Sequence, residues 1–196
     1  MMQRSLISTT GAAPFRKVAL KSLLSGLLLC ASLLAAAQAR ASKRPDACGD
    51  GKVKFDVYTE GHQPAPARPA AGWAQIVLIE DQNQAAYYQD ATVRFGLDGE
   101  WVGASKGKSY FVVAENPGVH RLCASMQDES NVELATVTAE ADKVYYLEAK
   151  VEVHTTGTPI SDSPPTFTVT LTLAPLSEEE GQDRVAAWKR ATPSER

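Results

Sequence analysis

The chain has 196 residues, of which 44% are hydrophobic and 22% charged, a globular composition that excludes a collagen-like, low-complexity or wholly disordered polymer. Charge is unevenly placed, because residues 1–41 hold five of the 20 Lys and Arg residues and no acidic residue. The rest carries 15 Lys and Arg against 23 Asp and Glu, about −8 in all, so we expect no nucleic-acid partner, since phosphate binding needs clustered cations.

Residues 1–41 have the order of a secretory signal, with basic residues first, then an apolar run, then small residues. The apolar run is Ser22–Ala37, and Ala-Gln-Ala at 37–39 and Ala-Arg-Ala at 39–41 are typical cleavage sites. We therefore predict a cleaved signal peptide over residues 1–41. An uncleaved anchor is the first alternative, because about 18 apolar residues can span a bilayer. Lipidation at Cys30 is the second, although the leucines before this cysteine disfavour it.

Residues 42–72 are predicted to hold one strand and a linker. Val53, Phe55 and Val57 alternate with charged residues, which predicts a half-exposed strand near 52–58. Residues 62–72 contain three prolines and four alanines, a composition typical of an extended, solvated linker.

Residues 73–175 show short apolar or alternating stretches separated by turn residues. The stretch 73–80 is apolar on both faces, which predicts a central strand. Asp98-Gly99 predicts a tight hairpin with positive φ, and Pro117-Gly118 predicts a second turn. About eight short strands in this segment, after the strand at 52–58, predict an all-β fold, an antiparallel β-sandwich. Beyond 73–80 they are expected at 91–97, 101–103, 109–114, 120–126, 134–139, 144–153 and 166–173.

The segment 176–196 is predicted to be a C-terminal helix and tail. Ser177 with Glu180 three residues later forms a capping box, and the helix is expected to run to about Ala191. Gly181 weakens helix propensity, which predicts a short, peripheral helix.

Four turn motifs in the main body resemble a family of secreted bacterial proteins known as a domain of unknown function. The stretches are 97–103 (LDGEWVG), 106–113 (KGKSYFVV), 117–120 (PGVH) and 141–146 (ADKVYY), beside the family patterns D-G-x-x-V-G, G-S-Y-F, P-G-x-H and A-G-K-x-Y-Y. Two positions depart from these patterns, since Lys108 separates Gly107 from Ser109 and Asp142 replaces a glycine. The pattern is also similar to PEGA-type envelope modules. The resemblance covers about residues 73–175 and implies a small β-sandwich of the cell envelope, with no catalytic residues to transfer.

One catalytic motif is present in outline. Residues 103–107 match G-x-S-x-G, with Ser105 as the candidate nucleophile of a secreted hydrolase. A nucleophile elbow needs a helix after the serine, whereas the sequence predicts a strand there, and we expect a loop between two strands instead. A serine hydrolase using Ser105 stays open as an alternative function.

Other candidate sites rest on weaker patterns. His62, His120 and His154 are widely spaced, and Cys48 and Cys123 do not form a C-x-x-C pair, so we expect no metal site. No Walker loop, Rossmann glycine set or EF-hand loop occurs, and we expect no cofactor. Neighbouring residues of a strand face opposite ways, so one tyrosine of each adjacent pair is expected to be exposed for recognition; the pairs are Tyr87-Tyr88 and Tyr145-Tyr146.

A disulfide between Cys48 and Cys123 is predicted, because removal of a leader containing Cys30 leaves only these two cysteines. Leu122, Ala124 and Met126 form the apolar face of their strand, which places Cys123 on the opposite face. The bond would then hold the N-terminal segment across the outside of the sheet.

The sequence as a whole indicates an exported, non-catalytic binding or structural module, periplasmic or secreted and possibly envelope-associated. Its expected partner is an envelope protein or a glycan, and contact with a membrane is expected only through an uncleaved leader. In that case the chain would be an anchored accessory domain of an envelope complex.

Overall fold

The computed structural model describes residues 47–61, 66–83, 89–127, 130–156 and 165–196. These residues form ten strands and one helix: β1 (Phe55–Glu60), β2 (Ala74–Gln82), β3 (Thr92–Leu97), β4 (Glu100–Lys106), β5 (Ser109–Glu115), β6 (Gly118–Met126), β7 (Val132–Ala139), β8 (Val144–Thr156), β9 (Thr166–Leu176), α1 (Glu178–Ala187) and β10 (Lys189–Glu195). The predictions for the leader, Cys30, His62, Tyr87 and Tyr88 lie outside the described residues.

The strands form two sheets, which confirms the all-β prediction. One sheet has six strands in the order β1-β10-β5-β2-β8-β9, and the other has four in the order β4-β3-β6-β7. β2 is buried along nearly its whole length, as its two apolar faces predicted.

The expectation of purely antiparallel pairing is wrong. β2 pairs with β8 in parallel, from Gln75 opposite Val144 to Gln82 opposite Val151, and β10 pairs in parallel with β5. A parallel pair needs a long crossover connection. The chain between β2 and β8 supplies it by forming β3 to β7, which include the whole four-stranded sheet.

Side chains from both sheets meet in one buried cluster. Ile76 and Leu78 of β2, Phe95 of β3 and Leu122 of β6 belong to it and are almost fully buried. The rings of Phe95 and Phe111 meet edge to face, with centroids 5.7 Å apart. This cluster holds the inner faces of the two sheets together.

The two ends of the described chain pair with each other. β1 runs antiparallel to β10, from Phe55 opposite Glu195 to Glu60 opposite Arg190. The predicted helix therefore ends earlier than expected, at Ala187 instead of Ala191, because the residues after Trp188 extend to complete the sheet between β1 and β5. The capping box of Ser177 and Glu180 is present, as predicted.

The Asp98-Gly99 hairpin joins β3 to β4 as predicted. Asp98 has φ 52° and Gly99 has φ 100°, the two positive values that a type I′ turn requires. Leu97 lies opposite Glu100, and the register shifts between Phe95 and Gly96. At the second predicted turn, Pro117 precedes Gly118, which has φ 155°.

Candidate functional site

The helix α1 packs on the outer face of the six-stranded sheet. Val185 of α1 is buried with Val77 and Ile79 of β2 and Tyr110 of β5. These residues form an apolar cluster separate from the one between the sheets. Alternation along β2 explains this arrangement, because Ile76 and Leu78 face the inner cluster while Val77 and Ile79 face the helix.

Gly181 allows α1 to approach the sheet closely at Tyr146. A Cβ atom at Gly181 would overlap Cγ and Cδ1 of the Tyr146 ring, so a glycine is required here for packing. Burial and the Glu178 carboxylate raise the pKa of the Tyr146 phenol, and the Gln182 side chain offsets part of this increase. Gly181 lowers the helix propensity of this segment, yet it also allows the close contact that holds the helix against the sheet.

Polar contacts fix the other end of α1. Arg184 Nε donates to Glu148 Oε1 over 2.9 Å, and the Arg184 guanidinium lies 5.1 Å from the centre of the Trp188 ring. The Trp188 N–H donates to the Arg184 carbonyl and closes the last turn. The helix is thus held at both ends, with its remaining side open.

An open groove of about 1090 Å³ lies beside this helix. Its walls are α1 and the extended segment 66–71, and its floor includes Val77, Val144 and Tyr146. Its polar lining contains two cationic residues, Arg68 and Lys143, and two anionic ones, Asp142 and Glu178. We call this feature the α1 groove; it has an apolar floor and charged groups whose formal charges cancel.

Asp142 fixes one end of the α1 groove. Its N–H donates to the Trp73 carbonyl over 2.8 Å, and its Oδ1 accepts the Gly72 N–H over 2.9 Å. Asp142 has φ 62°, a conformation for which glycine is the usual residue. Asp142 thus adds a hydrogen bond between the β7–β8 turn and Gly72, the residue directly after the wall segment.

The tyrosine prediction is correct for the alternation of faces and wrong for exposure. Tyr145 packs against the inner cluster, and its hydroxyl accepts the Glu140 N–H over 2.9 Å. Tyr146 packs under α1 and lines the groove. Both are half-buried, because Tyr145 packs against the inner cluster and the helix covers Tyr146 on the face that the sequence pattern would leave to solvent.

His120 lies between two oxygen acceptors. Its Nδ1 is 2.7 Å from Asp98 Oδ2, and its Nε2 is 2.7 Å from the Asn116 carbonyl. Burial alone would lower the pKa of His120, but these hydrogen bonds outweigh it and raise the pKa. Burial would likewise raise the pKa of Asp98, yet the hydrogen bonds from the Arg121 N–H and His120 lower it. The pair ties the Asp98-Gly99 hairpin to β6.

Ser105 is completely buried, and its Oγ has no hydrogen-bond partner among the described residues. It lies within β4, which ends at Lys106 and is followed by two residues and then β5, so the strand–turn–helix arrangement of a nucleophile elbow is not formed there. Neither ring nitrogen of His120 has a hydrogen bond to Ser105. His154 is exposed, with its Nε2 3.9 Å from Glu152 Oε2.

Glu80 is a buried acid that the sequence pattern did not single out. Its Oε1 accepts the Gly107 N–H over 2.9 Å. Its Oε2 is buried without a hydrogen-bond partner in the described part of the chain. Burial raises its pKa well above the usual value, which favours the uncharged carboxyl. Only its position at the end of an apolar strand could have indicated this burial.

The disulfide between Cys48 and Cys123 is present, with Cα atoms 5.4 Å apart. Cys123 lies on the outer face of the four-stranded sheet, away from Leu122 and Ala124, as the alternation predicted. The cysteines pack with Ala47, Trp101 and Val132.

Arg94 adds a polar contact to the same face and is 2% exposed. It donates from Nη1 to the Val53 carbonyl over 2.7 Å, and its guanidinium carbon lies 4.5 Å from the centre of the Trp101 ring. Trp101 Nε1 donates to the Asp50 carbonyl over 2.6 Å. We call residues 47–53 with these contacts the N-terminal clamp.

The described ranges contain no group of His, Cys, Asp and Glu side chains that could hold a metal ion. In those same ranges, no helix has the length and hydropathy needed to cross a membrane. Comparisons with protein-family models, curated proteins and solved structures give no match for this chain.

Proposed function

We propose that this chain is an exported, non-catalytic binding module of the bacterial cell envelope, built as a β-sandwich, with the α1 groove as its ligand site. The groove carries the proposal, because it combines an apolar floor with a charged rim, the usual composition of a binding cleft. The leader pattern and the disulfide support export, since disulfides persist in oxidising compartments. The turn motifs support an envelope module by resemblance alone.

A non-catalytic role is supported by the positions of the candidate reactive side chains, which are buried or bonded within the fold. His120 and Asp98 bind each other and the neighbouring backbone, and Ser105 is buried between the sheets. Glu80 holds the turn at Gly107. His120, Asp98 and Glu80 therefore hold turns in place, and among the described residues lining the groove there is no serine, cysteine or histidine.

The ligand that best fits the groove is an extended polypeptide segment. Val144 is half-buried, and Ala67 and Ala186 are exposed on the walls, so these residues offer small apolar contacts for alternate side chains. The four charged lining residues are balanced in sign, which suits the mixed charge of a peptide and disfavours a polyanion. The aromatic floor residue, Tyr146, is covered by Gly181 and is poorly placed to stack on a sugar ring.

The test is selection from a random peptide library on the folded, oxidised protein, followed by binding measurements with the selected peptides. Ala186→Trp fills the groove from the exposed surface of α1, and Ala187→Trp is the matched control, because Ala187 is exposed but does not line the groove. We expect Ala186→Trp to weaken binding at least tenfold and Ala187→Trp to leave it unchanged.

Two outcomes would overturn this assignment. A failure to select any peptide that Ala186→Trp blocks would remove the peptide ligand. A glycan array that binds the native protein and is blocked by the same substitution would keep the groove but replace the peptide with a sugar. Far-UV circular dichroism of both tryptophan variants checks that α1 remains folded.

A further inference from the structure

Among the described strands, β9 is the last strand of the six-stranded sheet. It has 11 residues, Thr166–Leu176, and among the described strands it pairs only with β8. An edge strand presents unpaired backbone N–H and C=O groups along its free side, and these groups can pair with another strand. A long, open edge is therefore a potential association site.

β9 lacks the charges that usually protect such an edge. Its sequence, TFTVTLTLAPL, contains no Asp, Glu, Lys or Arg. The other three edge strands are shorter and each carries at least one charge; they are β1 with Asp56 and Glu60, β4 with Glu100 and Lys106, and β7 with Glu133. Proteins commonly use edge charges to prevent edge-to-edge pairing. Among the described edge strands, only β9 has no charged residue.

The two faces of β9 are suited to its own copy. Thr168, Thr170 and Thr172 are exposed on the outer face, while Val169 and Leu173 pack against the inner cluster and remain half-buried. An antiparallel pair around a two-fold axis keeps outer residues opposite outer residues and inner opposite inner. Threonine would meet threonine, and the half-buried apolar side chains would gain apolar neighbours.

We propose that β9 pairs antiparallel with β9 of a second copy, with the two-fold axis at Thr170. In this register Thr168 of one copy lies opposite Thr172 of the other, and Val169 lies opposite Leu171. Pro175 falls outside the paired residues, as expected for a residue with no N–H to donate. No like charges meet across the ladder.

We expect a weak dimer, because a single edge-to-edge ladder should bury less than about 1,200 Å², the lower end of the range for stable interfaces. The α1 groove is lined by Val144 and Tyr146 at the start of β8, whereas residues 166–174 of β9 lie beside Glu148–Thr156 farther along that strand, so we expect dimerisation to be independent of the proposed peptide binding.

Sedimentation over a range of concentrations tests the dimer, and two double variants test its register. Thr168→Lys with Thr172→Lys places like charges opposite each other, and we expect at least a tenfold weaker dimer. Thr168→Lys with Thr172→Glu places opposite charges in contact across the same pairs, and we expect association to be kept or strengthened. Thr136→Lys on β7 is the control, an exposed threonine of another edge strand whose replacement leaves the dimer unchanged.

Each outcome decides the proposal. A native protein that stays monomeric at every concentration overturns it, as does a dimer that resists the like-charge variant. A dimer that both double variants weaken equally would overturn the register at Thr170. Melting curves of all variants confirm that they fold, since every substituted threonine is exposed.

Discussion

The outer faces of the two sheets are covered in different ways. On the four-stranded sheet, the N-terminal clamp is fixed by a covalent bond and by the buried Arg94, and it lies directly on the strands. On the six-stranded sheet, α1 is fixed by the close contact of Gly181 with Tyr146 and by the Arg184–Glu148 ion pair, and an open groove remains beside it. The first cover serves stability, and the second leaves room for a ligand.

Removing the disulfide should cause the largest loss of stability, and local protection should be lost only on the outer face of the four-stranded sheet. Replacing both Cys48 and Cys123 by serine frees a link that spans 75 residues, for which chain entropy gives an upper estimate of about 4 kcal/mol. Urea unfolding of the native and doubly substituted proteins measures the loss. Hydrogen exchange of the α1 amides in the folded variant should stay slow, and equal deprotection of α1 and residues 47–53 would contradict the separation of the two faces.

Gly181→Ala tests the attachment of α1 to the outer face of the six-stranded sheet. Alanine is the better helix former by about 1 kcal/mol, yet its Cβ would overlap the Tyr146 ring, so we expect a net destabilisation of about 1–3 kcal/mol. Asp183→Ala is the control, because Asp183 is exposed on the same helix. Thermal melting measures both. A more stable Gly181→Ala protein would show that α1 does not dock closely on Tyr146.

Local patterns predicted one face better than the other. The disulfide followed from cysteine count and strand alternation, because Cys123 has to point away from Leu122 and Ala124. The α1 groove did not follow, since it depends on the parallel pairing of β2 with β8 and on the approach of Gly181 to Tyr146, both set by contacts between distant residues. Buried Glu80 and Arg94 were missed for the same reason, because their partners lie far away in the sequence.

Gly99→Val tests the hairpin at the end of the four-stranded sheet. Gly99 has φ 100°, which a β-branched residue adopts only under strain, so we expect a loss of about 1–2 kcal/mol. Gly61→Val is the control, because nothing lies within 4 Å of a Cβ at that position. An unchanged melting temperature for Gly99→Val would mean that the turn is not formed as described. The register of β3 with β4 would then also be incorrect.

The His120–Asp98 pair predicts a pH dependence at the same end of this sheet. Folding raises the pKa of His120 above 6.5. Its contribution to the free energy of unfolding is therefore complete below pH 6.5 and is lost as the pH rises through the folded-state pKa. Folding lowers the pKa of Asp98 below 3.8, so its contribution is present above 3.8 and is lost as pH falls through the folded value.

The stabilisation from this pair should therefore be greatest between pH 3.8 and pH 6.5, and it should decline at lower and at higher pH. Melting temperatures of the native protein and of His120→Gln across this range measure it, and the difference between them should shrink as pH rises above 6.5. A difference that grows with pH would mean that His120 is neutral in the folded protein.

Ser105→Ala should have the smallest effect, because it tests a chemistry that we expect to be absent. Ser105 is completely buried, is followed by a turn and a strand, and has no hydrogen bond to His120. A fluorophosphonate probe, which labels activated serines, should leave the native protein unmodified. Labelling that disappears in Ser105→Ala would establish an activated nucleophile between the sheets, and the chain would then be a hydrolase instead of a binding module. The substitution also removes a buried hydroxyl without a described partner, so we expect stability to be unchanged or slightly increased.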